Sequence, residues 1–118
     1  MARLNLRDGS SVTVECLGWD RDELGARKRF KWAISSPEDP CIGEGSDLRG
    51  PVDADVTSEE MLTSWLGFAG AAAEARQFGC TGSENWDLFL ARCSDWIFRH
   101  STELQAADLE REAGGHDW

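Results

Sequence analysis

The apolar residues of the chain follow two different periods, and the strongest pattern lies in residues 83–100. Apolar positions there are spaced by three and four, which places them on one face of an α-helix. Ser83 is suited to cap this helix, and Glu84 and Asp87 put negative charge in the first turn, where the helix dipole favours it. The predicted apolar stripe consists of Trp86, Phe89, Leu90, Cys93, Trp96, Ile97 and His100.

A second helical pattern covers residues 56–78. Thr57 and Glu60 have the spacing of a capping box, in which each side chain accepts a hydrogen bond from the other residue's backbone N–H. Gly67 and Gly70 each cost up to about 1 kcal/mol of helix propensity, so we expect another element to approach closely at this small-residue face. The predicted buried side consists of Met61, Leu62, Trp65, Leu66, Phe68, Ala69, Ala72 and Ala73.

Residues 101–113 keep a helical composition but have fewer large apolar side chains. They form either a third helix or a continuation of the second, and the sequence leaves both open. Residues 114–118 are expected to be a flexible C-terminus. Only Leu104, Ala107 and Leu109 of this part could contact a core.

The chain begins with alternating apolar and polar positions, which predict a β-hairpin. A two-residue turn would place the apolar side chains of the two strands on opposite faces. A three-residue loop at residues 7–9 instead pairs Leu4 with Val12 and Ala2 with Val14. We therefore predict the three-residue loop, with its glycine in the left-handed conformation.

Residues 18–28 are predicted to be a charged connection, and residues 29–35 a third strand. Residues 35–55 contain all three prolines and interrupt regular structure, and a short edge strand at 41–45 or 46–49 is left open. In the third strand, one face is formed by Phe30, Trp32 and Ile34, and the other by Arg29, Lys31 and Ala33.

This order of elements predicts an α+β fold. We expect an N-terminal antiparallel β-meander of three or four strands, packed on one face by two or three C-terminal α-helices. Residues 1–113 would form a single domain, with the sheet in 1–50 and the helices in 56–113.

The net charge of −10 on 118 residues is unevenly distributed. Residues 1–49 carry 8 bases and 9 acids, whereas residues 50–118 carry 4 bases and 13 acids. This charge argues against direct binding to nucleic acids or to anionic membranes, and it favours a basic protein partner.

No apolar run is long enough to span a membrane or to form a signal peptide, so we expect a cytoplasmic protein. Ten arginines against two lysines indicate a bacterial or phage origin.

One candidate metal site fails on spacing. Asp20 and Asp22 followed by Gly25 resemble the start of a calcium-binding loop. The fifth and twelfth ligand positions would then be Leu24 and Lys31, which cannot bind calcium. A solvated acidic loop is the better interpretation.

The cysteines and histidines do not predict a catalytic site either. No two cysteines have the two-residue spacing of a zinc knuckle or a thioredoxin-type motif. Cys93 and His100 share a helix face, but seven residues separate them by about 10 Å along the axis. We predict no catalytic, cofactor-binding or metal-binding residue.

Residues 27–32 combine four bases with two aromatic side chains, a composition that can bind single-stranded nucleic acid. The two aromatic residues share a strand face with Ile34, so we interpret them as core and the bases as the outer face of the sheet.

The six tryptophans exceed what a core of this size needs. Trp19, in the charged connection, and Trp118, at the terminus, have no periodic reason to be buried. Exposed tryptophan within a charged surface is typical of interaction hot spots. The residues expected to bind a partner are Trp19, Asp20, Asp22, Glu84, Asp87, Asp95 and Trp118.

These features favour a small acidic protein-binding module that inhibits or neutralises a basic enzyme, of the toxin-immunity or phage counter-defence type. The alternative is a small enzyme or ligand-binding domain with a pocket between the Pro/Gly segment and the first helix. Nucleic-acid mimicry is a minority option, because Arg92 and Arg99 interrupt the acids on the predicted helix 83–100. Self-association is left open.

Overall fold

The computed structural model describes residues 1–78, Cys93 and residues 95–115. A four-stranded antiparallel sheet comes first in the chain and helices follow it, which confirms the predicted α+β class. Cys93 and residues 95–99 are also helical. The elements are β1 (Ala2–Asn5), β2 (Ser11–Asp22), β3 (Gly25–Ser35), β4 (Gly43–Arg49), α1 (Ser58–Phe78) and α2 (Ser101–Gly115).

Two compact units make up the chain, Met1–Leu62 and Thr63–Trp118. The first unit contains the sheet and the start of α1. The second contains the rest of α1, the helical residues 95–99, and α2. The single domain over residues 1–113 stays a prediction.

The first hairpin has the predicted register, and both predicted cross-strand pairs, including Leu4 with Val12, are present. Residues 7–9 form the connecting loop. Gly9 takes a φ of 89° and its N–H donates to the carbonyl of Leu6 at 3.1 Å. The left-handed φ explains why glycine stands at this position.

The second hairpin is longer than the sequence predicts. Residues 18–28 are not a loop: β2 and β3 stay paired up to Asp22 and Gly25, and only Glu23-Leu24 connects them. This part of both strands has polar residues on either face, so it lacks the alternation that marks a strand. One cross-strand pair of opposite charge, Asp20 with Arg27, favours the pairing instead, and Arg27 Nε also lies 3.7 Å from Asp22 Oδ2.

The sheet has the order β1-β2-β3-β4. The edge strand that follows the second hairpin is β4. It overlaps both positions that the sequence left open for a short edge strand, 41–45 and 46–49. What we call the apolar face carries the buried side chains of Val12, Val14, Phe30, Trp32, Ile34 and Leu48. What we call the polar face carries Arg3, Thr13, Glu15, Arg29, Lys31, Glu44 and Arg49.

The predicted capping box begins α1. The N–H of Glu60 donates to Thr57 Oγ1 at 3.1 Å, and the N–H of Thr57 donates to Glu60 Oε1 at 3.3 Å. The prediction that Phe68 is buried is wrong, since it is 45% exposed. Residues are about 100° apart around a helix, which puts Phe68 at the edge of the stripe. Within residues 58–70 of α1, the buried side chains are Met61, Leu62, Trp65, Leu66 and Ala69. The predicted burial of Ala72 and Ala73 lies outside the side chains that the structure describes.

The described part of the predicted helix 83–100 has the expected stripe, with Cys93, Trp96 and Ile97 buried. Its remaining residues, 83–92 and 94, lie outside the described residues. A turn at His100 separates residues 95–99 from α2, so residues 101–113 belong to a separate helix. Of the three residues expected to contact a core there, Leu104 is buried, Ala107 is half-buried and Leu109 is exposed.

Within the second unit, the later part of α1 lies beside α2. Arg111 Nε donates to Thr63 Oγ1 at 3.0 Å, and a Cβ built on Gly70 would lie 3.9 Å from Gln105 Cγ. A Cβ on Gly67 would meet no described atom within 4 Å. The predicted close approach at Gly67 therefore stays a prediction, and the contact at Gly70 is of ordinary van der Waals length.

Candidate partner-binding site

The β2–β3 hairpin extends beyond the part of the sheet that β1 covers. β1 pairs with Ser11–Val14, while β2 and β3 remain paired as far as Asp22. Among the described strands, none pairs with β2 after Val14 on the side opposite β3. We call residues 17–29 the distal hairpin, because they form a two-stranded extension of the sheet.

A β-bulge at Leu17 begins the distal hairpin. Cys16 lies opposite Phe30 and Gly18 lies opposite Arg29, which leaves Leu17 without a cross-strand partner. Gly18 has a φ of 109°, in the region that favours glycine. The extra residue changes which face every later side chain of β2 occupies.

The bulge places Trp19 on the apolar side of the sheet, opposite Lys28. With strict alternation Trp19 would share the polar face with Glu15. The tryptophan side chain is nevertheless 53% exposed. Lys28 Nζ lies 5.6 Å from the centroid of its ring, within the range of a cation–π interaction.

Lys28 is itself fixed by residues that follow β4. Its Nζ forms an ion pair with Asp55 Oδ1 and donates to the carbonyl of Val56 at 3.3 Å. The hydrogen bond to Asp55, reinforced by the attraction between the two charges, raises the pKa of Lys28 above its ordinary value. The lysine side chain is only 20% exposed and the Asp55 side chain is 80% exposed, so the carboxylate remains accessible from solvent.

Backbone hydrogen bonds hold the segment after β4 against β3. The N–H of Gly50 donates to the carbonyl of Lys28 at 2.9 Å, and the N–H of Asp53 donates to the carbonyl of Ala26 at 2.7 Å. The N–H of Ala26 donates in turn to Asp53 Oδ1 at 3.2 Å. These bonds place Asp55 beside Lys28 and thereby support the position of the Trp19 ring.

Asp20 and Asp22 lie on the same strand as Trp19 but on the opposite face, because side chains alternate along a strand. Asp20 is opposite Arg27 and half-buried. Asp22 Oδ1 accepts a hydrogen bond from the N–H of Leu24 at 2.8 Å, and its Oδ2 lies 3.7 Å from Arg27 Nε. Both carboxylates therefore shape the turn and the hairpin.

The remaining expected residues are in the second unit. Asp95 is exposed on the helical residues 95–99, and its carbonyl accepts a hydrogen bond from Arg99 Nε at 3.3 Å. Glu84, Asp87 and Trp118 lie outside the described residues. Of the seven expected residues, the structure brings together Trp19, Asp20 and Asp22 on the distal hairpin.

Three residues that sequence reasoning missed complete this site. Leu17, which is 47% exposed, is the bulged residue next to Trp19, and Lys28 and Asp55 fix the ring. The glycine directly before Trp19 was the available signal, because glycine within a strand often marks a bulge. The partnership of Lys28 with Asp55 had no sequence signal, since 27 positions separate them.

Of the histidines and cysteines that could support catalysis, the structure describes His100, Cys16, Cys41 and Cys93. His100 is half-buried, its ring is stacked on Trp96 at 4.4 Å, and its Nδ1 lies 2.7 Å from the Trp96 carbonyl oxygen. Cys93 is buried, whereas Cys16 and Cys41 are exposed. Among the described residues, no three His, Cys, Asp or Glu side chains are grouped so that they could hold a metal ion.

The basic run at 27–32 has the predicted arrangement except at Lys28, which lies opposite Trp19 on the apolar side of the sheet. Phe30 and Trp32 are buried on the apolar face and offer no ring for stacking against a base. Arg27, Arg29 and Lys31 lie on the polar face.

Comparisons with known protein families, curated proteins and solved structures find no match to this chain. None of the described helices has both the length and the apolar composition that crossing a membrane requires.

Proposed function

We propose that the protein is an acidic protein-binding module that inhibits or neutralises a basic partner enzyme, in the manner of a toxin-immunity or phage counter-defence protein. The observation that carries this proposal is the exposed ring of Trp19, held on the distal hairpin by Lys28. Tryptophan is enriched at the residues that contribute most to protein–protein binding. A ring already held in one position loses less conformational entropy when it is buried by a partner.

The charge of the chain supports a basic partner. Residues 50–118 carry 13 acids and 4 bases, and Asp55 adds an exposed carboxylate close to the Trp19 ring. Long-range attraction of this kind accelerates the encounter with an oppositely charged protein more than it strengthens the final complex. The proposed complex therefore combines an apolar contact at Leu17 and Trp19 with electrostatic steering.

The test uses the immobilised 118-residue chain to capture proteins from its native host at about 50 mM salt. Bound proteins are eluted at about 500 mM salt, because charge attraction is strongly screened there. We expect a basic protein whose enzymatic activity the wild type inhibits. Trp19→Ala should weaken this inhibition by about 30-fold or more, as loss of a hot-spot residue does. Phe98→Ala is the matched control, because Phe98 is an exposed aromatic residue of the other unit.

Two results would contradict the proposal. One is equal inhibition by the wild type and by Trp19→Ala, which would remove the distal hairpin from the interface. The other is capture of acidic proteins only, or turnover of a small molecule by the purified chain, which would favour the ligand-binding or enzymatic alternative.

A further inference from the structure

Among the described side chains of the polar face, one row across the strands contains bases and no acid. In this row Gly18 of β2, Arg29 of β3 and Arg49 of β4 lie side by side, and the two arginines are directly opposite each other. Like charges at directly opposed positions destabilise a sheet. Neither arginine forms an ion pair with any described residue.

The neighbouring rows differ, because each base there has an acidic neighbour. Arg27 is opposite Asp20 and lies 3.7 Å from a carboxylate oxygen of Asp22. Lys31 is opposite Glu15, and its Nζ lies 3.4 Å from Glu44 Oε2. Among the described side chains of the polar face, the pair of Arg29 and Arg49 thus differs from the neighbouring rows, because it has no acid beside it.

The geometry at this row leaves space for a ligand. Gly18 has no side chain, and a Cβ built on it would meet no described atom within 4 Å. Arg29 is half-buried, and its Nε is buried with no hydrogen-bond acceptor among the described residues. Arg49 is exposed and lies on β4, so that Arg29 is between Gly18 and Arg49. Arg27 Nε in the neighbouring row is buried without an acceptor as well, but the Asp22 carboxylate lies beside its guanidinium group, and no described carboxylate lies beside that of Arg29.

We propose that Arg29 and Arg49, with the open position above Gly18, form a binding site for an oxyanion such as a phosphate or carboxylate group. The planar guanidinium group donates two parallel hydrogen bonds to such oxygens, which a lysine at the same position could not do. The anion would supply the negative charge that this row lacks. The site is independent of the partner contact at Trp19, which lies on the opposite side of the sheet.

The first test measures thermal unfolding of the wild type, Arg49→Gln and Arg3→Gln at pH 7 and constant ionic strength, in chloride, phosphate or acetate. Arg3 is the matched control, as an exposed arginine of the polar face that lies opposite Thr13 and not opposite a base. In chloride, Arg49→Gln should raise the unfolding midpoint by about 1 to 4 °C, because it removes the repulsion from Arg29.

Phosphate should then raise the midpoint of the wild type and of Arg3→Gln in a saturable manner, and leave that of Arg49→Gln nearly unchanged. The second test follows backbone amide NMR shifts in the same titrations. The amides of Gly18, Arg29 and Arg49 should shift together as the anion is added. Arg49→Gln should raise the anion concentration at the titration midpoint about tenfold or more, because binding is weaker. A response to acetate but not to phosphate would assign the ligand as a carboxylate, and the reverse would assign a phosphate.

The proposal would be overturned if chloride stabilised the wild type as much as phosphate and acetate do. Shifts of equal size at Arg3 would likewise indicate general screening of charge rather than a site. Destabilisation by Arg49→Gln in chloride would show that Arg49 already has a partner within the protein, and the proposal would fail on that result as well.

Discussion

The ring of Trp19 and the ammonium group of Lys28 face each other across two paired strands, with Nζ 5.6 Å from the ring centroid. This relationship depends on the bulge at Leu17, without which Trp19 would be on the other face of the sheet. It also depends on Asp55, which holds Lys28 from a segment more than twenty residues further along the chain. The position of the exposed ring is therefore determined by the bulge and by the contact between Lys28 and Asp55, and the ring lies on a paired strand rather than on a loop.

Replacing Asp55 should lower the pKa of Lys28. The raised pKa means that the ammonium form is favoured by folding, so its contribution to stability is present below pH 10.5 and is lost as the pH rises through the folded pKa above that value. In Asp55→Asn the lysine should titrate closer to 10.5 than in the wild type. Side-chain NMR of Lys28 during an alkaline titration measures this directly.

Glu23→Gln is the control for that titration, because it removes one acidic charge from the exposed hairpin turn without touching Lys28. It should leave the pKa of Lys28 at its wild-type value. An identical Lys28 titration in Asp55→Asn and in the wild type would show that the ion pair does not form in solution.

Deleting Leu17 should move Trp19 to the polar face, because the strand alternates with a period of two and the bulge supplies the extra residue. The expected result is loss of the nuclear Overhauser contacts between the Trp19 ring and the Lys28 side chain. Leu17→Ala keeps the residue count and should keep these contacts. If the deletion variant retained them, another residue would have taken over the bulge.

Gly18→Ala and Gly67→Ala should change the free energy of unfolding in opposite directions, although at both positions a Cβ would meet no described atom within 4 Å. Gly18 has a φ of 109°, so alanine is strained there and should cost about 1 to 3 kcal/mol. Gly67 is inside α1, where alanine should stabilise by up to about 1 kcal/mol. Urea unfolding measures both, and a loss of stability in Gly67→Ala would reveal a close neighbour at that helix face.

Thr57→Ala should destabilise the protein by about 1 kcal/mol, because the N–H of Glu60 loses its acceptor at the start of α1. Thr57→Ser keeps a hydroxyl in the same place and should retain most of the wild-type stability. The comparison is made by urea unfolding at neutral pH. Equal losses in the two variants would indicate that the threonine methyl group, and not the cap, matters.

Local patterns in the sequence were sufficient for several elements. The register of the first hairpin followed from the need to place Leu4 and Val12 on one face, which a three-residue loop allows and a two-residue turn does not. The start of α1 followed from the spacing of Thr57 and Glu60. These features involve residues that are close in the chain, so the physical constraint can be read from their spacing alone.

The candidate site could be predicted only in part. The exposure of Trp19 followed from the absence of any periodic partner in its charged surroundings. Its strand, however, was missed, because a hairpin with charges on both faces has no hydrophobic period. The opposite faces taken by Trp19 and Asp20 were missed for the same reason.

By itself, the sequence determined the α+β order of the elements, the first hairpin, the cap of α1 and the acidic charge of the chain. Tertiary structure alone decided that Lys28 and Asp55 meet, that Arg29 lies opposite Arg49, and that Phe68 is exposed. The reason is physical: periodicity fixes which side chains share one face of an element, whereas cross-strand register and contacts between distant segments depend on how the whole unit packs.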